Sequence, residues 1–390
     1  MRYGFALLLT LVLLFPFDAL AVNGEVIDQD LSPEGYGYTV MVVWGSHYEM
    51  GYAQGYLLSD YMIDGMEQIK SYLGPLYSAV RSSMDETTWK PDEIEDELDG
   101  MLQALEDTHP DYEVDKLDIK VANTFGDWAY GIACRSHSCW GNFTSDPVNT
   151  LSTRRLDYSI PMEGAYHHVL CAWDPDDGDP QWVNLAWPGY VTCVTGVNEF
   201  GTLTSLHDYN SSVGNPAPLS MPRCVAARYA LTLPTAPDLS QHAVQVYTEL
   251  QNYEAYTGSF INYYVPDGWG GVITCSRPGG FYDLRMPHPD YFGGDVLITT
   301  NAWTDGSYTP SGGTFMADYY EEGGPKDIQS HWDLMLDTGL HKMSIEYRNR
   351  KDITIWADGK LPGGRTDRLE YRWSDLFQPV IPKYRIPHRF

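Results

Sequence analysis

Cations are scarce in this chain. Its 390 residues include 25 Lys and Arg against 53 Asp and Glu, a formal net charge of −28 at pH 7. That balance opposes binding to nucleic acid or to an anionic membrane surface, both of which need clustered cations. By itself it speaks for solubility and names no substrate. Beyond the first two dozen residues, no run is long and apolar enough for a membrane helix. There is no internal repeat and no low-complexity linker. The six cysteines, Cys134, Cys139, Cys171, Cys193, Cys224 and Cys275, match no zinc-ligand spacing, and no papain-type signature surrounds any of them. A histidine clearly placed to serve a thiol is also missing. His137 alternates away from Cys134 and points the same way as Cys139, as an ordinary strand residue does, and His167–His168 reads as a structural pair in a strand.

The start of the chain is different. Gly4 to Phe17 is almost free of polar residues, Ala19-Leu-Ala21 fits the small-x-small cleavage rule, and Val22 follows where a lipoprotein would have cysteine. Residues 1–21 are therefore expected to be a signal peptide cut after Ala21, and the mature protein to be soluble and secreted or periplasmic. Export permits disulfides, with Cys171 and Cys193 one possible pair. Asn142-Phe-Thr and Asn210-Ser-Ser are glycosylation acceptors in a host that glycosylates.

Periodicity divides the remainder. Apolar residues at helical spacing (Ala53, Leu57, Leu58, Tyr61, Met62, Met66, Ile69) predict a helix over 45–75, stopped by Gly74-Pro75. Pro91 and a run of acids open a second over 91–110, and a third is predicted over 118–131. From Cys134 the pattern turns to strands at 134–143, 150–159, 165–173, 181–186, 190–197 and 201–207. Helices return at 221–232 and 239–252, then strands at 259–265, 271–276 and 295–300, a helix near 328–338, and strands at 342–348 and 352–357. The order implies α+β layers, not alternating βαβ units. The 29 tyrosines and 12 tryptophans suit a β-rich interior with aromatic-lined pockets.

One hairpin gathers chemistry. Asp146-Pro-Val-Asn149 is a turn signal between a strand carrying Cys134 and Cys139 and one ending Arg154-Arg-Leu-Asp157. Counting outward sets Asp157 opposite a residue between the two cysteines. Strict alternation puts Arg155 on the face of Asp157 and Arg154 on the other, unless a bulge intervenes. An arginine beside a thiol lowers its pKa. On these residues alone, a disulfide cysteine beside a surface Arg/Asp pair fits equally well. A nucleophile without histidine needs another base, and the free amine of a processed chain can serve.

Several motifs in order resemble the cysteine N-terminal-nucleophile hydrolases, specifically the acyl-CoA:6-aminopenicillanate acyltransferase-like group, related to choloylglycine hydrolases and penicillin V acylases. They are Gly45-Ser-His-Tyr-Glu-Met-Gly-Tyr-Ala-Gln-Gly55, Asn123-Thr-Phe-Gly-Asp-Trp-Ala-Tyr-Gly131, Trp140-Gly-Asn-Phe-Thr-Ser-Asp146, Arg154-Arg-Leu-Asp157, Gly189-Tyr-Val with Gly196-Val-Asn-Glu-Phe-Gly201, and Val296-Leu-Ile-Thr-Thr-Asn301. Together they span most of the mature chain. The resemblance implies a four-layer αββα sandwich, with a helical N-terminal segment over 22–133 packed as one domain with a catalytic part over 134–390. It implies self-cleavage before a nucleophile, Cys134 by its Cys-x-Ser pattern and its spacing to Trp140, or alternatively Cys139. It further implies that Asp157 holds the new amine, Arg154 supports the thiolate or a substrate carboxylate, Asn301 donates to an oxyanion, and His207 faces substrate, with Asn198 a turn residue. The substrate class is an acyl amide or thioester; neither a metal nor an organic cofactor is implied. The chain departs from the family pattern in three places. Ala133 or Ser138, not Gly, precedes the cysteine; Arg155 replaces an Asn; and 329–333 lacks the arginine of a Ser-x-x-Arg helix. The competing expectation is a secreted, non-catalytic binding protein on the same fold with disulfide-bonded cysteines.

Overall fold

A computed structural model describes residues 22–128, 132–145, 150–158, 162–209, 220–233, 239–266, 269–275, 282–302, 308–335, 341–348, 352–359 and 369–377. The expected signal peptide, the Asp146–Asn149 turn and Asn210 lie outside them. Among the described residues, no helix is long and apolar enough to cross a membrane.

Two strands open the chain, β1 (Gly24–Leu31) and β2 (Gly37–Gly45), where the sequence reading expected a mostly helical segment. The run Val40-Met41-Val42-Val43 conceals its strand character because both faces of β2 are covered. Met41 and Val43 meet helices, while Val40 and Val42 meet a second sheet. Helices α1 (His47–Leu57), α2 (Ser59–Leu73), α3 (Tyr77–Asp85), α4 (Glu93–Thr108), α5 (Lys116–Asn123) and α6 (Phe125–Trp128) follow. The helix expected over 45–75 is thus two helices, parted where Leu58 leaves helical geometry at φ −121°. Ser46 caps α1 in a reciprocal box with Glu49.

The remaining strands complete two large sheets and one two-stranded parallel pair, Ser220–Met221 with Glu254–Ala255. Strands β3 (Ile132–Cys139), β4 (Leu151–Tyr158), β5 (His167–Pro175), β6 (Trp182–Ala186), β7 (Thr195–Asn198) and β8 (Leu203–Asp208) precede a short β9 (Ser220–Met221). Helices α7 (Arg223–Thr232) and α8 (Leu239–Leu250) lead to β10 (Glu254–Ala255), β11 (Ser259–Val265), β12 (Trp269–Cys275), β13 (Tyr282–Arg285) and β14 (Val296–Thr299). Then come α9 (Thr314–Glu321), α10 (Ile328–Leu334), β15 (His341–Arg348), β16 (Asp352–Gly359), β17 (Leu369–Arg372) and α11 (Trp373–Leu376). The first sheet runs β1-β2-β5-β6-β7-β8-β11-β12-β13, antiparallel except for β2 against β5. The second, β14-β3-β4-β15-β16-β17, is antiparallel throughout.

Four layers result. Val40, Leu170, Val183, Phe260 and Val272 of the first sheet pack on Leu297, Ile353 and Ile355 of the second. The first sheet's other face carries Met41, Cys171, Trp173 and Ile261 against Met50, Leu98, Val225 and Leu231 from helices. On the second sheet's outer face, Cys139, Leu151, Val296 and Ile298 meet Met316, Tyr320 and Met335. The fold is α+β, an αββα sandwich. Residues before and after Cys134 share its largest core.

Candidate active site

The strand pairing of β3 with β4 is regular from Ile132–Tyr158 to Cys139–Leu151. Asp157 therefore stands opposite Ala133, one residue before Cys134, and not between the cysteines as counting had set it. The connection is longer than the four-residue turn assumed in that count. Beyond Cys139 the chain makes a 3₁₀ turn over Gly141–Phe143, with Gly141 at φ +53° and its would-be Cβ position 2.6 Å from the Asp295 carboxylate.

Alternation then sorts the side chains. Cys134, Ser136, Ser152 and Arg154 belong to the face that meets the first sheet. There, Asn262 of β11 donates to Ser136 Oγ at 2.8 Å, and Cys134 packs with Ala186, Tyr190 and Val194. Arg154 Nη2 donates to Cys134 Sγ at 3.3 Å and to the Leu206 carbonyl at 2.6 Å. Its Nε and Nη1 are buried with no hydrogen-bond partner. Asn301, just past β14, accepts the backbone N–H of Cys134 through Oδ1 and donates through Nδ2 to the Asp208 carbonyl. Burial pushes the Cys134 thiol above its ordinary pKa, while Arg154, the Asp208 backbone amide and Arg223 draw it back. Burial wins, so the thiol is held protonated, 1% exposed.

The structure therefore brings Cys134, Arg154 and Asn301 together. Asp157 lies on the opposite face with Arg155, whose Nε donates to Asp157 Oδ2 at 2.9 Å; Oδ1 has no partner and burial raises the carboxyl. Asn301 holds the cysteine's nitrogen in this state, and its amide N–H is engaged elsewhere. His207 is not among the residues that line the cavity beside this site. Alternation in β8 sends it between the sheets, where neither ring nitrogen has a hydrogen-bond partner and burial, then Arg154, push its pKa well below normal.

Cys139 points the other way, under α9 and α10. Its Sγ lies 3.2 Å from His331 Nε2, and Tyr320 hydroxyl contacts both His331 (3.2 Å) and His137 (2.7 Å). Sequence reasoning had no means to place His331 beside a thiol 192 positions earlier. The pair is nevertheless unsuited to nucleophilic chemistry: burial drives the thiol up and the imidazole down, the reverse of a thiolate–imidazolium pair. All six cysteines are free, Cys171 and Cys193 included.

Asp208 and Arg223 escaped the sequence reading. The Arg223 guanidinium pairs with Asp208 at 2.5 Å and donates to the Gly126 carbonyl, while its backbone N–H donates to Asp127 at 3.1 Å. Arg223 thus supports Asn301 through Asp208. Proline before the helix start, at Pro222, was the available signal for Arg223. Asn198 is a turn residue: its Oδ1 accepts from Phe200 and Thr202, ahead of Gly201 at φ +77°.

A cavity of about 150 Å³ adjoins this site, walled by Tyr61, Met62, Met66, Phe125, Met162 and Trp187 among others. Tyr190 lines the cavity and also packs in the cluster around Cys134. Asn123, fully buried, fixes that wall by donating to the Gly189 carbonyl at 2.8 Å and accepting from Val191 at 2.8 Å. This is why 190–194 is a pinned loop and the strand expected over 190–197 begins only at Thr195.

No family matches the chain, and no curated protein does. Among solved structures, it aligns with the Caenorhabditis elegans ortholog of N-acylethanolamine-hydrolyzing acid amidase at 16% identity and a TM-score of 0.41, over 54% of this chain and 92% of that one.

Proposed function

We propose that this protein is an exported cysteine amide hydrolase or acyltransferase that cuts itself before Cys134 and takes acyl groups from linear amides or thioesters through that residue. The observation that carries the proposal is a double grip on one cysteine: Arg154 on its sulfur at 3.3 Å and Asn301 on its backbone N–H. A structural cysteine needs neither.

In self-cleavage the Cys134 sulfur attacks the Ala133 carbonyl carbon, and the Ala133–Cys134 C–N bond breaks to give a thioester and a free α-amine. Water then hydrolyses the thioester, leaving a carboxylate on Ala133 and the thiol on Cys134. In turnover the α-amine, with a pKa near 7.7–8.0 when unperturbed, takes the thiol proton. The thiolate attacks the substrate carbonyl, and the leaving amine departs with the proton from the α-ammonium. Water or an acceptor amine resolves the acyl-enzyme. Arg154 stabilises the thiolate, and Asn301 Oδ1 keeps the new amine over the sulfur. Asp157, opposite Ala133, presents its unpartnered Oδ1 as the group that receives the ammonium once the strand end is released. The apolar cavity bordered by Tyr190 takes the acyl chain.

N-terminal sequencing and intact mass of the purified protein test the reading, with a mass-spectrometric screen of simple N-acyl amines for turnover. A terminus at Cys134 is expected. An uncut, inactive chain would sink it, as would a terminus at Cys139. Ping-pong kinetics with an added amine separates transfer from hydrolysis.

A further inference from the structure

His47, the first residue of α1, lies away from the thiol chemistry and is more than nine-tenths buried. Its Nδ1 meets Glu97 Oε1 of α4 at 2.7 Å. Glu97 is fully buried and is held from the other side by Arg228 Nη2 at 3.0 Å. Arg228 in turn lies 3.5 Å over the ring of Trp182, which stacks on Trp173. The imidazole is therefore fixed in orientation by a buried carboxylate that is itself held from the far side.

Its second nitrogen faces the loop between β5 and β6. Nε2 lies 3.3 Å from Asp177 Oδ2 and 3.4 Å from Asp179 Oδ2, at ion-pair distance from both. Burial opposes the charged imidazole, but Asp179 and Glu97 outweigh it and raise the His47 pKa to about 9. The three ligand atoms lie within 4.8 Å of one another. The loop is seated on α1's start, since the Asp176 amide donates to the Gly45 carbonyl at 3.1 Å. A nitrogen and two oxygens bound tetrahedrally at ~2.0–2.1 Å stand roughly 3.3–3.4 Å apart, which is the spacing from Nε2 to both oxygens. A carboxylate holding the far nitrogen of a histidine is the arrangement that orients imidazole toward a metal.

We propose that His47, Asp177 and Asp179 form a binding site for a divalent cation of the Zn²⁺ class, with Glu97 and Arg228 as its orienting groups. One nitrogen with two carboxylate oxygens suits such an ion better than Ca²⁺ or Mg²⁺, which take oxygen donors alone. Three protein ligands leave a fourth position open. The cation would clamp the β5–β6 loop to the junction of α1 and α4. The rival occupant of the same space is a proton, giving an imidazolium among three carboxylates.

The test is metal stoichiometry on the purified chain after chelation and dialysis, with Zn²⁺, Ca²⁺ and Mg²⁺ titrated separately by calorimetry. One Zn²⁺ per chain is expected, with a raised melting temperature. Asp177→Asn and Asp179→Asn alter partly exposed loop carboxylates and should fold; each is expected to weaken Zn²⁺ by about 100-fold. Co²⁺ in place of Zn²⁺ should give a visible d–d spectrum without sulfur-to-metal charge transfer, which separates this site from adventitious binding at Cys134. No Zn²⁺ above trace overturns the proposal. So does unchanged affinity in both Asp177→Asn and Asp179→Asn, a thiolate signature with Co²⁺, or tight Ca²⁺ or Mg²⁺ binding in preference to Zn²⁺.

Discussion

Two cysteines five positions apart on one strand have opposite surroundings, because an odd separation sends them to opposite faces. Cys134 meets a buried cation and an amide; Cys139 meets a histidine and a tyrosine in a sealed layer. Cys134→Ala should leave a folded, uncut chain and lower turnover by roughly 10⁴-fold or more, read by intact mass and a single-substrate assay. Cys139→Ala should still cut and turn over while losing about 1–2 kcal/mol of stability from the void left under α9 and α10. Equal effects of the two substitutions would refute this division of roles. Buried histidines supply a second prediction. Burial pushes His137 and His168 down to about 3 and His167 to about 4. Each is a base with a depressed folded pKa, so below 6.5 the unfolded chain takes up a proton that the folded chain refuses. Stability should therefore fall between pH 6.5 and 5, by up to about 1.4 kcal/mol per histidine per pH unit. Urea midpoints at those two pH values check it; an unchanged or higher midpoint at pH 5 would contradict it.

Among elements, the tightest constraint is the crossing of α1 and α4. A Cβ on Gly51 would come 2.0 Å from the Glu97 carbonyl, and one on Gly100 would come 2.0 Å from the Tyr48 carbonyl. Gly55 faces Ala104 and Met101 one turn on. The glycines of the Gly45–Gly55 segment are thus not interchangeable. Gly45 takes φ +102° before the Ser46 cap, whereas Gly51 and Gly55 let two helix backbones touch. Gly51→Ala must push the helices apart, and a loss of about 2–3 kcal/mol is expected by urea denaturation. A change within experimental error would mean that the crossing is more compliant than its geometry implies. The same contact positions Glu97 against His47, so the crossing also shapes the β5–β6 loop site.

At the scale of the molecule, the two sheets enclose the thiol while helices α2, α5 and α6 wall the neighbouring cavity. Gly65 of α2 lies on that wall, and a Cβ there would meet nothing within 4 Å. Gly65→Leu should therefore fold, with α2 gaining about 0.5–1 kcal/mol from removal of a mid-helix glycine. The leucine would occupy cavity space, so kcat/KM for long-chain acyl amides should fall relative to short-chain ones. A uniform change across chain lengths would show that the cavity does not hold the acyl group.

Local patterning determined much of this protein from the sequence alone. Helices α4, α7 and α8 and strands β3 to β6, β8, β11 and β12 follow from periodicity and breakers, because each has a polar side or a clear stop. The separation of Arg154 from Asp157 was legible too, since alternation is a property of one strand. β2 was not, because a strand covered on both faces has no alternation to read. Nor were α9, β13 and β17, which are short and take their stability from neighbours. Tertiary structure alone decided which cysteine meets Arg154 and Asn301, why Asp157 faces away, and that His331 sits beside Cys139. It also decided that Asp208 and Arg223 stand behind Asn301, and that His47 faces a loop 130 residues downstream. Those outcomes depend on pairing register and on contacts between chain segments far apart, and neither is a property of any one segment.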